Sequence, residues 1–238
     1  MRLDHYLVEN NFARSRSHAQ DMIKRGIVHV NAMLVQKPKF EVQDSDQVTL
    51  SQSDDFVSRS ANKIASFIQE LNLNFQNQTA LDVGASTGGF TQVLLTHGAS
   101  QVYCVDVGHN QLVPQISQDS KVTNFEGVDA KLPLPFQKLF DLVVIDVSFT
   151  SSKPILLNIT QYLHPNGKII LLFKPQFEGQ KQNLTRQLLV RESDLGDLQA
   201  NFELWLQNND FQILASRKSE LKGKKGNQEF LYYLEFNQ

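Results

Sequence analysis

The sequence predicts an α/β protein, a doubly wound parallel sheet preceded by a small α+β module. Three observations predict it. From about residue 58 onward, strand-like and helix-like stretches alternate, the rhythm of a sheet wound with helices. The runs Leu142-Val143-Val144-Ile145 and Ile169-Ile170-Leu171-Leu172-Phe173 are apolar at every position, as in parallel strands covered on both faces. Residues 1–50 follow a different pattern of two short helices and a few short strands, and 238 residues lie between one and two ordinary domains.

In chain order, Leu3, Tyr6 and Leu7 have helical spacing, and Ser15 can cap a second helix that runs to Gly26, a residue suited to a left-handed helix end. Residues 27–30 read as a strand, 31–32 as a turn, 33–35 as the return and 48–50 as a further strand. The polar stretch Ser51-Gln52-Ser53-Asp54-Asp55 suits a linker, which divides the chain into domains at 1–52 and 59–238, with 53–58 between them. Beyond it come a helix over 62–71, a strand at 79–83, a helix over 88–97, and strands at 101–106, 122–125, 140–146 and 168–173. A helix over 153–162 is expected to end at Pro165-Asn166-Gly167. A late helix over 195–206 and strands at 211–215 and 229–236 complete the chain.

The composition, 41% hydrophobic and 20% charged, is that of a globular protein and too apolar for a disordered one. No stretch has the ~20 apolar residues of a spanning helix. The start, Met1-Arg2-Leu3-Asp4-His5-Tyr6, places an acid and a histidine where a signal peptide has its apolar core. A single cysteine, Cys104, excludes an internal disulfide and a multi-cysteine zinc site. A cytoplasmic protein is the expectation. The formal net charge of -2 hides an asymmetry: residues 1–39 hold seven basic side chains against three acids. A second cluster, Arg217, Lys218, Lys222, Lys224 and Lys225, lies near the C-terminus, and such local patches decide whether phosphates are attracted.

The most informative stretch is Asp82-Val83-Gly84-Ala85-Ser86-Thr87-Gly88-Gly89-Phe90. It places an acid at a strand end, a glycine after it, and two glycines where a helix begins. This is neither the dinucleotide fingerprint nor a phosphate loop, and an acid two residues before the first glycine suits a cationic amino acid better than a pyrophosphate. Asp106 ends the next strand, where a carboxylate can accept hydrogen bonds from ribose hydroxyls, and Asp129 after the third strand can accept from an adenine amine. Acids at three successive strand ends point to a nucleoside cofactor.

These residues resemble the S-adenosylmethionine motif of the TlyA (haemolysin A-like) branch of FtsJ-type RNA ribose methyltransferases. Arg2-Leu3-Asp4, Ser15-Arg16-Ser17-His18-Ala19 and Gly26-Ile27-Val28-His29-Val30-Asn31 resemble the RNA-binding fold of small-subunit ribosomal protein four. Lys174-Pro175-Gln176-Phe177-Glu178 and Gly226-Asn227-Gln228-Glu229-Phe230-Leu231 also match the branch. The resemblance implies a Rossmann-like methyltransferase sheet behind a small N-terminal α+β RNA-binding domain. It implies S-adenosyl-L-methionine as cofactor, held by Asp82, Gly84, Ser86, Thr87, Gly88, Gly89, Phe90, Asp106, Asp129 and Asp146. The family's Lys-Asp-Lys-Glu catalytic set corresponds to Lys63, Asp146, Lys174 and Glu229.

On this reading Lys174 accepts the proton of a ribose hydroxyl or stabilises the developing alkoxide, and Asp146 and Glu229 orient the two lysines. Arg2, Arg14, Arg16, Lys24, Arg25 and Arg59 are the candidate RNA-binding residues, acting on phosphates of ribosomal RNA or ribosomal subunits. The implied activity is 2'-O-methylation of a ribose, with cytidine favoured. A non-catalytic ribosome-assembly protein on a vestigial cofactor fold is the alternative, and a haemolysin is a third. The chain departs from the family at Ser60-Ala61 and at Asn110, both places where glycine is usual, and over 179–191, which is expected to be a loop.

Overall fold

In the computed structural model, residues 1–10, 12–13, 15–43, 45–50, 56–179, 181–185, 187–223 and 225–237 are described. They form two units, Met1–Asp55 and Phe56–Gln238. The expected linker residues 51–55 and the candidate cation Arg14 lie outside the described residues, as do the side chains of Arg25 and Arg59.

In the first unit, α1 (Leu3–Glu9) and α2 (Arg16–Arg25) pack on a three-stranded antiparallel sheet of order β2-β1-β3, formed by Val28–Val30, Met33–Leu34 and Val48–Leu50. Ser15 caps α2 by accepting the His18 N–H at 3.2 Å, and Gly26 ends it in the left-handed region at φ 77°. Both devices were legible in the sequence. Leu3, Leu7, Ala19, Ile23 and Val28 are wholly buried between helices and sheet.

The second unit holds the predicted α/β architecture. Its elements are α3 (Arg59–Glu70), β4 (Thr79–Val83), α4 (Gly89–Thr96), β5 (Gln101–Asp106), α5 (Pro114–Ser117), β6 (Val122–Glu126), β7 (Phe140–Ile145), α6 (Lys153–Ile159), β8 (Leu163–Phe173), α7 (Pro175–Glu178), α8 (Glu192–Gln207), β9 (Phe211–Lys218) and β10 (Phe230–Phe236). The strands make one sheet of order β6-β5-β4-β7-β8-β10-β9. The five from β6 to β8 run parallel, β10 is inserted antiparallel to β8, and β9 pairs antiparallel with β10 and so runs with the five. Two apolar layers cover its faces, one around Phe140, Phe173 and Phe202, the other around Phe67, Phe90 and Leu142.

The topology fixes where a ligand fits. The chain leaves β4 outward through β5 and β6, then returns to β7 on the other side of β4. Ligands bind where strand order reverses in this way. Gly84 follows β4 there and Asp146 follows β7, and the Asp146 N–H donates to the Val83 carbonyl at 3.0 Å.

Some expectations need correction. The stretch Pro165-Asn166-Gly167 does not terminate a helix. Strand β8 already begins at Leu163 and runs through it, with Asn166 at φ 67° and a register shift against β7. Helix α3 starts at Arg59, earlier than expected, because Ser58 caps it through the Ala61 N–H. The short helices α5 and α7 were not foreseen. Within 179–191, a 3-10 turn at Lys181–Asn183 and a bridge between Leu184 and Val190 stand where only loop was expected.

Candidate active site

The loop between β4 and α4 lines a cleft of about 140 Å³ walled by Ser58, Ser60, Gly84, Ala85, Ser86, Thr87, Gly89, Phe90, Asp146, Ser148 and Lys174. Two glycines are required here by their backbone. Gly84 has φ 83°, and a Cβ on it would stand 2.6 Å from the Asp146 carbonyl oxygen. Gly88 has φ 92° and serves as the N-cap of α4. Within the loop the N–H groups of Gly84 and Ala85 go to the Val105 carbonyl, that of Ser86 to Asp106 and that of Gly88 to the Ala85 carbonyl. This leaves the opening of α4 at Gly89 to supply donors for a carboxylate or other acceptor.

Two lysine–carboxylate pairs stand at this end of the sheet. Lys174 Nζ lies 2.6 Å from Asp146 Oδ1 and donates to Ser148 Oγ at 2.9 Å, with both charged side chains mostly buried. Lys63 Nζ donates to Glu229 Oε2 at 2.5 Å, and these two are 7% and 4% exposed. Register explains the convergence. Phe230 faces Phe173 across the antiparallel β10–β8 ladder, so one step further Glu229 faces Lys174. The inverted strand delivers the acid at its beginning to the rim where the parallel strands end. Lys63 sits one turn into α3, on the side buried against the sheet.

The predicted acids do not all reach the cleft. Asp106 does its work beside it: Oδ2 accepts the Ser86 N–H at 2.9 Å and Oδ1 the Gly108 N–H at 2.7 Å, which fixes the glycine loop against the end of β5. Asp82 is wholly buried and absent from the cleft wall. Its place in β4, registered with Cys104 of β5, turns it into the helix-covered layer, where Thr91 Oγ1 donates to Oδ2 at 2.6 Å and lies 3.1 Å from Cys104 Sγ. Burial, reinforced by the charges of Asp146 and Asp106 and opposed by Thr91, pushes the Asp82 carboxyl up to about 7. Its Oδ1 has no hydrogen-bond partner among the described residues. Burial also raises the Cys104 thiol. Asp129 faces outward, pairs with Lys131 at 3.3 Å and is likewise absent from the wall.

In the first unit, the wholly buried Asp4 gathers two of the candidate RNA-binding cations. Arg2 donates to it through Nε and Nη2 at 2.9 Å each, Arg16 at 3.1 Å, and Gln20 at 2.8 Å. These donors offset the burial and hold the Asp4 carboxyl well below the usual carboxylate range. Lys24 stays exposed. At the C-terminal basic cluster, Arg217 is turned inward to Glu70 and Ser66 and over the Phe67 ring, so it braces α3 against β9. Among the described residues no group of acids, histidines and cysteine could hold a metal ion.

Residues 56–236 match the family model described as FtsJ-like methyltransferase, and residues 1–48 match the S4 domain. The chain is 35% identical to "Hemolysin A" of Brachyspira hyodysenteriae, over 97% of this chain and 98% of that one. It is 32% identical to "16S/23S rRNA (cytidine-2'-O)-methyltransferase TlyA" of Mycobacterium tuberculosis, over 98% of this chain and 89% of that one. A solved structure of a provisionally named hemolysin from Streptococcus thermophilus superposes with a TM-score of 0.78 at 31% identity, covering 100% of this chain and 89% of that one. With the strand order, the glycine loop and both lysine–carboxylate pairs in place, the chain belongs to the FtsJ-like methyltransferases, in the TlyA/hemolysin A branch that carries an N-terminal S4 domain.

Proposed function

We propose that this protein transfers a methyl group from S-adenosylmethionine to the 2'-hydroxyl of a cytidine in ribosomal RNA. The observation that carries the reading is the Lys174–Asp146 pair in the wall of the glycine-loop cleft. When bound, the cofactor supplies an electrophilic methyl group on a sulfonium. The residues present fit it. The cleft is smaller than the ~300 Å³ that a whole drug-sized ligand needs, which suits the amino-acid end of the cofactor. The backbone that opens α4 at Gly89 would meet its carboxylate, Asp146 its positive charge, and Asp106, at the end of β5, its ribose.

Lys174 Nζ, as an ammonium, is then the group that donates to the ribose oxygen, and the hydroxyl proton passes to solvent as the methyl group leaves the sulfonium. Its charge stabilises the negative charge that develops on that oxygen, and Asp146 and Ser148 set its position. Lys63 and Glu229, both absent from the cleft wall, neutralise each other in a buried pair. Phe149, three residues past Asp146, is 87% exposed and held at φ 64° against the Phe177 ring, an arrangement suited to stacking a splayed-out base. The S4 domain contributes RNA affinity through phosphate contacts, with Arg16 and Lys24 exposed among the described members of the predicted set.

The test is transfer of a tritiated methyl group to ribosomal subunits, followed by mapping of ribose methylation. Lys174→Ala should lose about 10²–10⁴-fold in kcat while still binding the cofactor. Full activity of that variant, or tight cofactor binding by the wild type with transfer to no ribosomal particle, rejects the reading. No helix among the described residues is long and apolar enough to cross a membrane.

A further inference from the structure

The turn after β7 and the helix after β8 meet in three places. Lys174 reaches Asp146 and Ser148 at 2.6 and 2.9 Å. The Phe149 and Phe177 rings lie 5.3 Å apart. At the far end, the carboxylate of Glu178 takes three hydrogen bonds from the residues that open α6: Ser151 Oγ donates to Oε2 at 2.6 Å, and the Ser152 N–H and Oγ donate to Oε1 at 2.6 and 2.7 Å. Ser152 is buried, and Ser151 Oγ also receives the Lys153 N–H at 3.2 Å. Short bonds to an ionised acceptor are about twice as strong as neutral ones.

We infer that Glu178 is a positioning residue, a clamp that holds the 147–152 turn against α7 and thereby sets the separation of Asp146 from Lys174. The inference rests on the methyltransferase reading above. Lys174 and Asp146 end neighbouring strands, but each is followed at once by a turn. Pairing between β7 and β8 stops at Ile145 and Leu171. Strand β10 holds β8 as far as Phe173 and the Val83 carbonyl holds the Asp146 N–H, so both backbones are anchored while no ladder bond between β7 and β8 sets the separation of the two side chains. Ser148, which holds Lys174, lies inside the clamped turn, and Glu178 sits only one helical turn beyond Lys174. Nothing in its geometry requires contact with cofactor or RNA: its carboxylate oxygens are already taken by Ser151 and Ser152.

Glu178→Ala should lower kcat roughly 10- to 100-fold, the scale of a 1 Å misplacement, while KM for cofactor and RNA stays within about twofold. Glu178→Gln, whose amide can still accept from Ser152 and donate to Ser151 Oγ, should recover most of the rate. The Ser151→Ala/Ser152→Ala double variant should reproduce the loss, and combining it with Glu178→Ala should add little, because the groups act as one unit. This double variant carries the test if Glu178→Ala does not fold. An unchanged kcat, an equal loss of cofactor affinity, or a Gln variant as poor as the Ala variant overturns the clamp. Amide exchange separates this outcome from failure of the parent reading. Should the wild type transfer no methyl group, Glu178→Ala must still strip protection from the Ser152 N–H, and unchanged protection rejects the clamp on its own.

Discussion

The Lys63–Glu229 pair shows how much depends on single side chains here. Both are almost wholly buried, so removing one leaves a charge in the core that water cannot reach. Lys63→Ala or Glu229→Ala should each destabilise the fold by about 3–5 kcal/mol in urea titrations. A Lys63→Met/Glu229→Leu double variant should recover most of that stability without recovering methyl transfer. Asp82 acts in the opposite electrostatic sense. Its carboxyl is raised to about 7, against ~3.9 in an unfolded chain, so between those values the folded state binds the extra proton. Stability linked to Asp82 is therefore full below about pH 4, falls as pH rises to about 7, and then levels off. Asp82→Asn should remove that slope from melting temperatures measured across the range. For Asp4, whose carboxyl is lowered by Arg2, Gln20 and Arg16, the sign reverses. Its stabilising contribution is full above about pH 4 and is lost progressively as pH falls below that.

At the level of elements, the glycine loop is the least tolerant part of the site. Gly84→Ala places a methyl group against the Asp146 carbonyl in a left-handed conformation, a strain of about 1–3 kcal/mol before any clash is counted. Cofactor affinity measured by calorimetry should fall at least tenfold, whereas Gly196→Ala, in open space on α8, should leave it unchanged. The loop was legible because an acid, a glycine and a helix start at fixed spacing have few other uses. The central runs of β7 and β8, 142–145 and 169–173, were legible because burial on both faces leaves no polar positions there. What the sequence concealed has equally physical causes. Pro165-Asn166-Gly167 carries a strong local turn signal, yet pairing with β7 overrides it through a register shift. Asp82 and Asp106 look alike as strand-end acids and share a face, since Asp82 is registered with Cys104, two residues before Asp106. Depth separates them, Asp106 ending β5 at the rim while Asp82 lies further in, covered by Thr91 of α4. Asn110 stands where glycine is usual and takes φ 54°, a conformation asparagine tolerates better than most residues. The pairing of Arg2 and Arg16 with Asp4 was hidden because charge counting treats every arginine as free.

For the whole molecule, the S4 unit and the methyltransferase unit divide the work of holding RNA and performing chemistry. RNA affinity of the full chain should fall linearly with the logarithm of salt concentration. Lys24→Glu should weaken binding and flatten that slope while leaving cofactor affinity untouched, which filter binding and calorimetry can resolve. The fold also imposes an order in time. Lys63 and its partner are separated by 166 positions in the chain, and the partner opens the last strand. During translation the lysine-bearing helix, the glycine loop and Lys174 all leave the exit tunnel before Glu229 does. A nascent chain halted short of its final strand thus carries an uncompensated ammonium in its half-built interior. Truncation before Glu229 should yield an inert product prone to degradation, because the buried Lys63 ammonium then lacks its carboxylate.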